Sequence, residues 1–141
     1  MFSQSFEIQL INNTSQAPNG PGTLVDIYLN DSLYFSSQQL DFMQASPLIA
    51  LPEGPLKISV APAPSDSVQQ SFATFNFNSF EADNIYAVVL DGGFGDSNNP
   101  LSIEVAANLL RFSPTNNTVN LRAFNGNRTG LSNDFFIQRQ G

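Results

Sequence analysis

The sequence predicts an all-β fold, an antiparallel Ig-like β-sandwich. Three observations predict it. Apolar residues recur at every second position in run after run, the period of a half-buried strand. Turn-forming residues separate these runs at short intervals, as sandwiches and barrels require. No segment shows a sustained helical period; residues 45–51 have room for one short turn, and 104–110 for a brief bend into helix.

The elements follow in order. Phe6, Ile8 and Leu10 alternate with Glu7 and Gln9. Val25, Ile27 and Leu29 alternate with Asp26 and Tyr28, so Asp26 lies in the polar phase of its strand, ready to accept hydrogen bonds from a neighbouring loop. Asn30-Asp31-Ser32 separates that strand from residues 33–35 and signals a hairpin. Pro52-Glu53-Gly54-Pro55 ends one strand and begins another, since proline fixes φ and glycine accepts positive φ. Leu56, Ile58 and Val60 alternate with Lys57 and Ser59, and residues 61–66 break the run. Phe75 and Phe77 alternate with Asn76 and Asn78. Residues 85–90 are a more continuous apolar run, which reads as a strand buried on both faces. A polar, glycine-rich loop follows at 92–100, and then Leu101, Ile103 and Val105 alternate with Ser102 and Glu104. Near the C-terminus Val119, Leu121 and Ala123 alternate with Asn120 and Arg122.

The two ends of the chain resemble each other. Phe6-Glu7-Ile8-Gln9-Leu10-Ile11-Asn12 aligns with Val119-Asn120-Leu121-Arg122-Ala123-Phe124-Asn125, and Asp26-Ile27-Tyr28-Leu29 with Asp134-Phe135-Phe136-Ile137. The expected organisation is therefore a sandwich domain over 1–115 and C-terminal strands over 116–141. Those strands either complete the same domain or are the first two strands of a second repeat.

Composition narrows function. The 141 residues suffice for one domain that buries about two-thirds of its unfolded surface. The chain has no Cys and no His, which removes disulfides, thiolate chemistry and the commonest transition-metal ligand. Five basic residues stand against twelve acidic ones, for a net charge of −7. Phosphate backbones and anionic lipids would repel such a chain, so no nucleic-acid partner is expected. No stretch reaches the apolar length of a membrane span, so no membrane insertion is expected. Charged residues make up only 12%, and Asn, Gln, Ser and Thr must cover the surface, in the manner of extracellular proteins. Residues 1–6 lack a basic n-region and an apolar h-region, so a signal peptide is not expected in this sequence.

Little in the chain invites catalysis. A serine nucleophile needs a positioned base, and only Lys57 or a carboxylate is available; Lys57 sits mid-strand and is expected to point to solvent. Glycosidase chemistry needs two facing carboxylates. Asp26, Asp41, Glu81, Asp83 and Glu104 are present, but nothing in the sequence pairs them. The expectation is a non-enzyme without cofactors. A metal site is not expected, and Asp91, Asp96 and Asn98 in the glycine-rich loop are the weak candidates for calcium, which takes hard oxygens on a flexible turn. Asn-x-Ser/Thr triplets, among them those beginning at Asn12, Asn30, Asn116 and Asn127, read as chance in an Asn- and Thr-rich chain. The crowded Phe72, Phe75, Phe77 and Phe80 are expected to lie mostly in the inter-sheet core. Phe135 and Phe136 are adjacent, so a strand would turn one of them outward as a contact residue.

Four segments carry a family resemblance. Val25-Asp26-Ile27-Tyr28-Leu29-Asn30-Asp31 resembles a V-D-V-Y-V-D-G strand and turn. Residues 42–47 followed by Leu48-Ile49-Ala50-Leu51-Pro52-Glu53-Gly54 resemble F-G-x-A-S-P-Y-L-x-L-P-A-G. Leu56-Lys57-Ile58-Ser59-Val60 is similar to the strand after that glycine, and Asn84-Ile85-Tyr86-Ala87-Val88-Val89 to a Y-T-V-V strand. In this order and spacing they resemble domain-of-unknown-function family 4397 over roughly residues 6–110. Asn12-Asn13-Thr14-Ser15 departs from the family's H-A-S-P. The resemblance implies a secreted or surface-anchored bacterial β-sandwich, often in tandem copies, and brings no catalytic residue.

The functional expectation is a non-catalytic extracellular or cell-surface structural or adhesive module. In its sharper form it is an assembly or filament subunit. Unpaired C-terminal strands would enter a neighbour by strand exchange, through Val119, Leu121, Phe124, Phe135, Phe136 and Ile137. The expected partners are further copies of the chain or another surface protein. The alternative is a carbohydrate-binding module that presents Tyr28, Tyr34 and Tyr86 to glycans.

Overall fold

A computed structural model describes residues 4–15, 24–34, 40, 41 and 44–107. The chain divides into two units, Met1–Leu109 and Leu110–Gly141, and every described residue belongs to the first. The described residues form β1 (Ser5–Ser15), β2 (Val25–Leu29), β3 (Ser32–Leu33), β4 (Ile49–Pro52), β5 (Gly54–Pro62), β6 (Ala73–Phe80), β7 (Ile85–Gly93) and β8 (Ser102–Ala106). A single 3-10 turn, Val68–Gln70, lies between β5 and β6.

The all-β sandwich is borne out. One sheet has the order β4-β1-β7-β8 and the other β3-β2-β5-β6. They share one apolar core. Phe6, Ile8, Leu10, Val88 and Leu90 come from the first sheet; Val25, Ile27, Leu29, Leu56, Ile58 and Val60 come from the second. Burying each such side chain contributes about 1.5–3 kcal/mol. The pairing is not wholly antiparallel, however: β1 runs parallel to β7, from Glu7↔Ile85 to Ser15↔Gly93. Period-two patterning reports which face is buried and carries no information on strand direction. As expected, residues 85–90 are buried throughout; β7 runs between β1 and β8 and turns Tyr86, Val88 and Leu90 into the core.

The predicted hairpin joins β2 to β3. Asn30 and Asp31 adopt φ of 49° and 67°, the left-handed pair of a tight two-residue turn, and Leu29 pairs with Ser32 across it. Among the described residues, neither of the two stretches with room for a helical turn is helical. Ala45 bridges Ile11, and Ile49–Pro52 pairs with β1. Residues 104–106 lie in β8 against β7. In both places the backbone amides bond across a sheet edge.

Buried polar side chains fasten the loops. Leu40 O accepts hydrogen bonds from Val25 N (3.1 Å) and from Asn12 Nδ2 (2.7 Å), tying β2 to β1 and so one sheet to the other. Asn12 Oδ1 accepts from Thr14 N and Oγ1, so Asn12 is buried and fully engaged, and its glycosylation triplet is inaccessible. Ser46 continues the β1 ladder beyond β4: its N–H donates to Leu10 O (2.8 Å) and its Oγ accepts from Leu10 N (2.9 Å).

The phenylalanines divide. Phe6, Phe80 and Phe94 are buried, Phe75 and Phe77 are half-buried against the core, and Phe72 is exposed. The expectation of a mostly buried 72–80 cluster therefore fails at Phe72, which precedes β6 and falls in the same exposed phase as Thr74 and Asn76. Phe80 stacks on Phe6 at 4.8 Å and meets the Tyr86 ring edge-on at 4.7 Å.

Candidate functional site

A concavity lies where β6 begins, β7 ends and β8 is about to start. Its base is set by Gly92, whose φ of +93° belongs to glycine and whose absent Cβ would stand 2.2 Å from the Pro100 carbonyl oxygen. This close approach, with Gly93 N–H donating to Asn99 O (2.8 Å), closes the loop into a narrow neck. Phe94 then turns inward and is fully buried. Its ring lies 5.2 Å from that of Phe72, which remains 53% exposed. Phe72 N–H donates to Val60 O, so β5 fixes the start of β6.

The result is a groove of about 360 Å³, with Phe72 and Leu101 as apolar walls and Asp96 and Ser97 as polar ones; Gly93 and Gly95 let the backbone approach. Asp96 Oδ1 accepts from Asn98 N (2.9 Å) and Asn99 N (3.2 Å), which shapes the loop tip. Two neighbouring side-chain oxygens, Ser71 Oγ and Asn99 Oδ1, are buried without a hydrogen-bond partner.

The calcium candidates have other engagements. Asp91 Oδ1 accepts from its neighbour Gly92 N (2.8 Å) and, across the parallel pair, from Asn13 Nδ2 (3.3 Å). Asp96 serves its own loop, and Asn98 gives it a backbone N–H. Among the described residues, no group of three or more His, Cys, Asp or Glu could hold a metal ion.

The other carboxylates are scattered over separate partners. Asp26, 4% exposed, accepts from Ser65 N (2.6 Å) and Ser65 Oγ (2.7 Å), the loop role expected of it. Because Ser65 Oγ donates to Asp26, the 2.8 Å contact with Tyr28 is one in which the phenol donates. Glu81 Oε2 accepts from Asn84 Nδ2 (3.4 Å). Lys57 pairs with Asp31 on the surface, with Nζ–Oδ2 at 2.6 Å, a contact that contributes roughly 0–1 kcal/mol.

Two of the three proposed glycan platforms are withdrawn into the fold. Tyr28 is 4% exposed and bonded to Ser65; Tyr86 is 8% exposed, and its hydroxyl accepts from Glu81 N. Tyr28 lies in a strand buried on both faces, and Tyr86 lies in the core itself, against Phe6 and Phe80. Tyr34 remains exposed. Sequence reasoning missed Phe72. Its signal was weak: an aromatic residue one place before an alternating run, opposite a glycine-rich loop far away in sequence. Val119, Leu121, Phe124, Phe135, Phe136 and Ile137 lie outside the described residues.

No helix among the described residues is long and apolar enough to cross a membrane. No protein-family model matches the chain, and no curated protein matches it.

Proposed function

We propose that this chain is a non-catalytic structural or adhesive module of an extracellular or cell-surface protein, and that it associates with copies of itself. One observation carries the reading. The buried polar side chains Asn12, Asp26, Ser46 and Ser59 bond to backbone or to neighbouring hydroxyls and hold strands and loops in place. Their chemistry goes into a rigid scaffold with its loops fastened down. The resemblance to domain-of-unknown-function family 4397 supports the same reading.

The test is light scattering after size exclusion on the full chain at rising concentration, with negative-stain images of the same fractions. Multimers are expected. A 15.3 kDa monomer at every concentration overturns self-association. If the C-terminal strands are the exchanging element, Leu121→Arg returns the chain to monomer.

A second reading, a carbohydrate-binding module, is favoured by Phe72. Its exposed ring offers a stacking platform for the apolar face of a sugar, and Asp96 beside it offers a carboxylate for the hydroxyls. A glycan array in which Phe72→Ala abolishes a wild-type signal supports this reading. An array blank for the wild-type chain removes it.

A further inference from the structure

The edges of the two sheets are unequal. Exposed edges invite pairing with another chain, and proteins blunt them by shortness, proline or charge. β3 has two residues, β4 has four and ends in Pro52, and β8 presents the exposed Glu104. β6 has none of these defences. It is eight residues long, Ala-Thr-Phe-Asn-Phe-Asn-Ser-Phe, with no charge, no proline and no glycine. Its partner among the described residues is β5, on one side only.

The backbone geometry shows which groups are offered. Lys57 donates its N–H to Asn30 Oδ1, and its carbonyl accepts from Asn30 N, so both point toward the β2 side. Backbone groups alternate sides along a strand. Asn76, which pairs with Lys57, therefore directs its N–H and C=O away from β5, and Thr74, which pairs with Ser59, does the same. Their side chains are exposed, while Phe75 and Phe77 lean half-buried onto the core. The ladder with β5 is regular from Ala73 to Phe77 and shifts register beyond it, which sets the length of the clean edge.

We propose that this edge pairs antiparallel with β6 of a second copy, continuing the sheet β3-β2-β5-β6 across a two-fold axis. The proposal rests on the self-association reading and names its surface. In the register that sets Phe75 opposite Phe75 of the second copy, Thr74 of each chain meets Asn76 of the other. Both residues carry outward-pointing groups, so these become hydrogen-bonded pairs. The aromatic pair between them adds a cross-strand contact on the core face. Charge favours this site above others. Chains of net charge −7 repel, and β6 lets two of them meet along a strip with no charged residue.

Sedimentation equilibrium on the full chain tests it. The wild-type mass should rise with concentration from 15.3 kDa toward twice that value. Asn76→Lys and Thr74→Lys place a charge on the edge and should weaken the dimer at least about tenfold. Leu48→Lys adds the same charge beside β4 and should leave it unchanged. Circular dichroism checks that each variant folds. Unchanged association in Asn76→Lys and Thr74→Lys overturns the β6 edge and leaves self-association standing. A wild-type monomer at all concentrations overturns both. If Asn76→Lys and Leu121→Arg each abolish association, a C-terminal strand is the occupant, and the two-fold pairing is overturned.

Discussion

Two loops leave the sandwich after its two nine-residue strands, β5 and β7, and they are fastened in opposite ways. The loop after β5 is held from a distance. Ser65 gives its N–H and hydroxyl to Asp26, 39 residues earlier and buried in β2, and Tyr28 donates to the same hydroxyl. The loop after β7 is held at its neck, where Gly92 lies against Pro100, and at its tip by Asp96, which bonds to amides two and three residues on. The first loop is tied to β2 at Ser65, while Pro64, Asp66, Gln69 and Gln70 stay exposed. The second retains a free surface, and the open groove lies beside it. A remote anchor ties a loop to another strand, and a local one only shapes it.

Substitutions can break this contrast. The largest effect is expected at the neck: Gly92→Ala adds a Cβ against backbone at a left-handed φ and should cost about 3 kcal/mol or more. Gly95→Ala, also at positive φ (+70°) but with open space around it, should cost only about 1–2 kcal/mol. Equal urea midpoints for the two would show that the neck yields. Next comes the remote anchor. Asp26→Ala leaves the Ser65 and Tyr28 donors without their acceptor chain and should cost about 2–3 kcal/mol, with hydrogen exchange at the Ser65 amide rising in step. A Ser65 amide still protected in Asp26→Ala would deny the anchor its role. The smallest effect belongs to the tip: Asp96→Ala should change stability by about 0.5 kcal/mol. A larger loss would make both loops structural.

The sequence conveyed the parts of this arrangement that are local. Alternation located β1, β2, β5, β6 and β8, the Asn30-Asp31 turn was legible from residue type, and the polar phase of β2 marked Asp26 as an acceptor. What it could not convey was partnership. Nothing near Asp26 names Ser65, and nothing in β1 states that β7 lies beside it in parallel. Tyr28 failed as a surface residue for the same reason: alternation assigns it to an outer face, and only distant segments decide whether that face is covered. Tyr86 failed because it lies on the core face of a strand that the sequence already read as buried. The groove was half legible. Its glycine-rich loop was evident, and Phe72 was not, because the two are brought together by the start of β6 and the end of β7.

The parallel pairing of β1 with β7 has a consequence for synthesis. Asn13 and Asp91, bonded across it, are 78 residues apart, and β1 has no other neighbour among the described strands until β4 is made. Ribosomes add about 5–20 residues per second, and long-range pairings are the slow ones to form. For several seconds the emerging chain therefore presents Phe6, Ile8 and Leu10 on a strand with no permanent place, and the inner ladder of the first sheet closes only once β7 has emerged. A chain cut short before Ile85 would lack the strand that β1 runs beside.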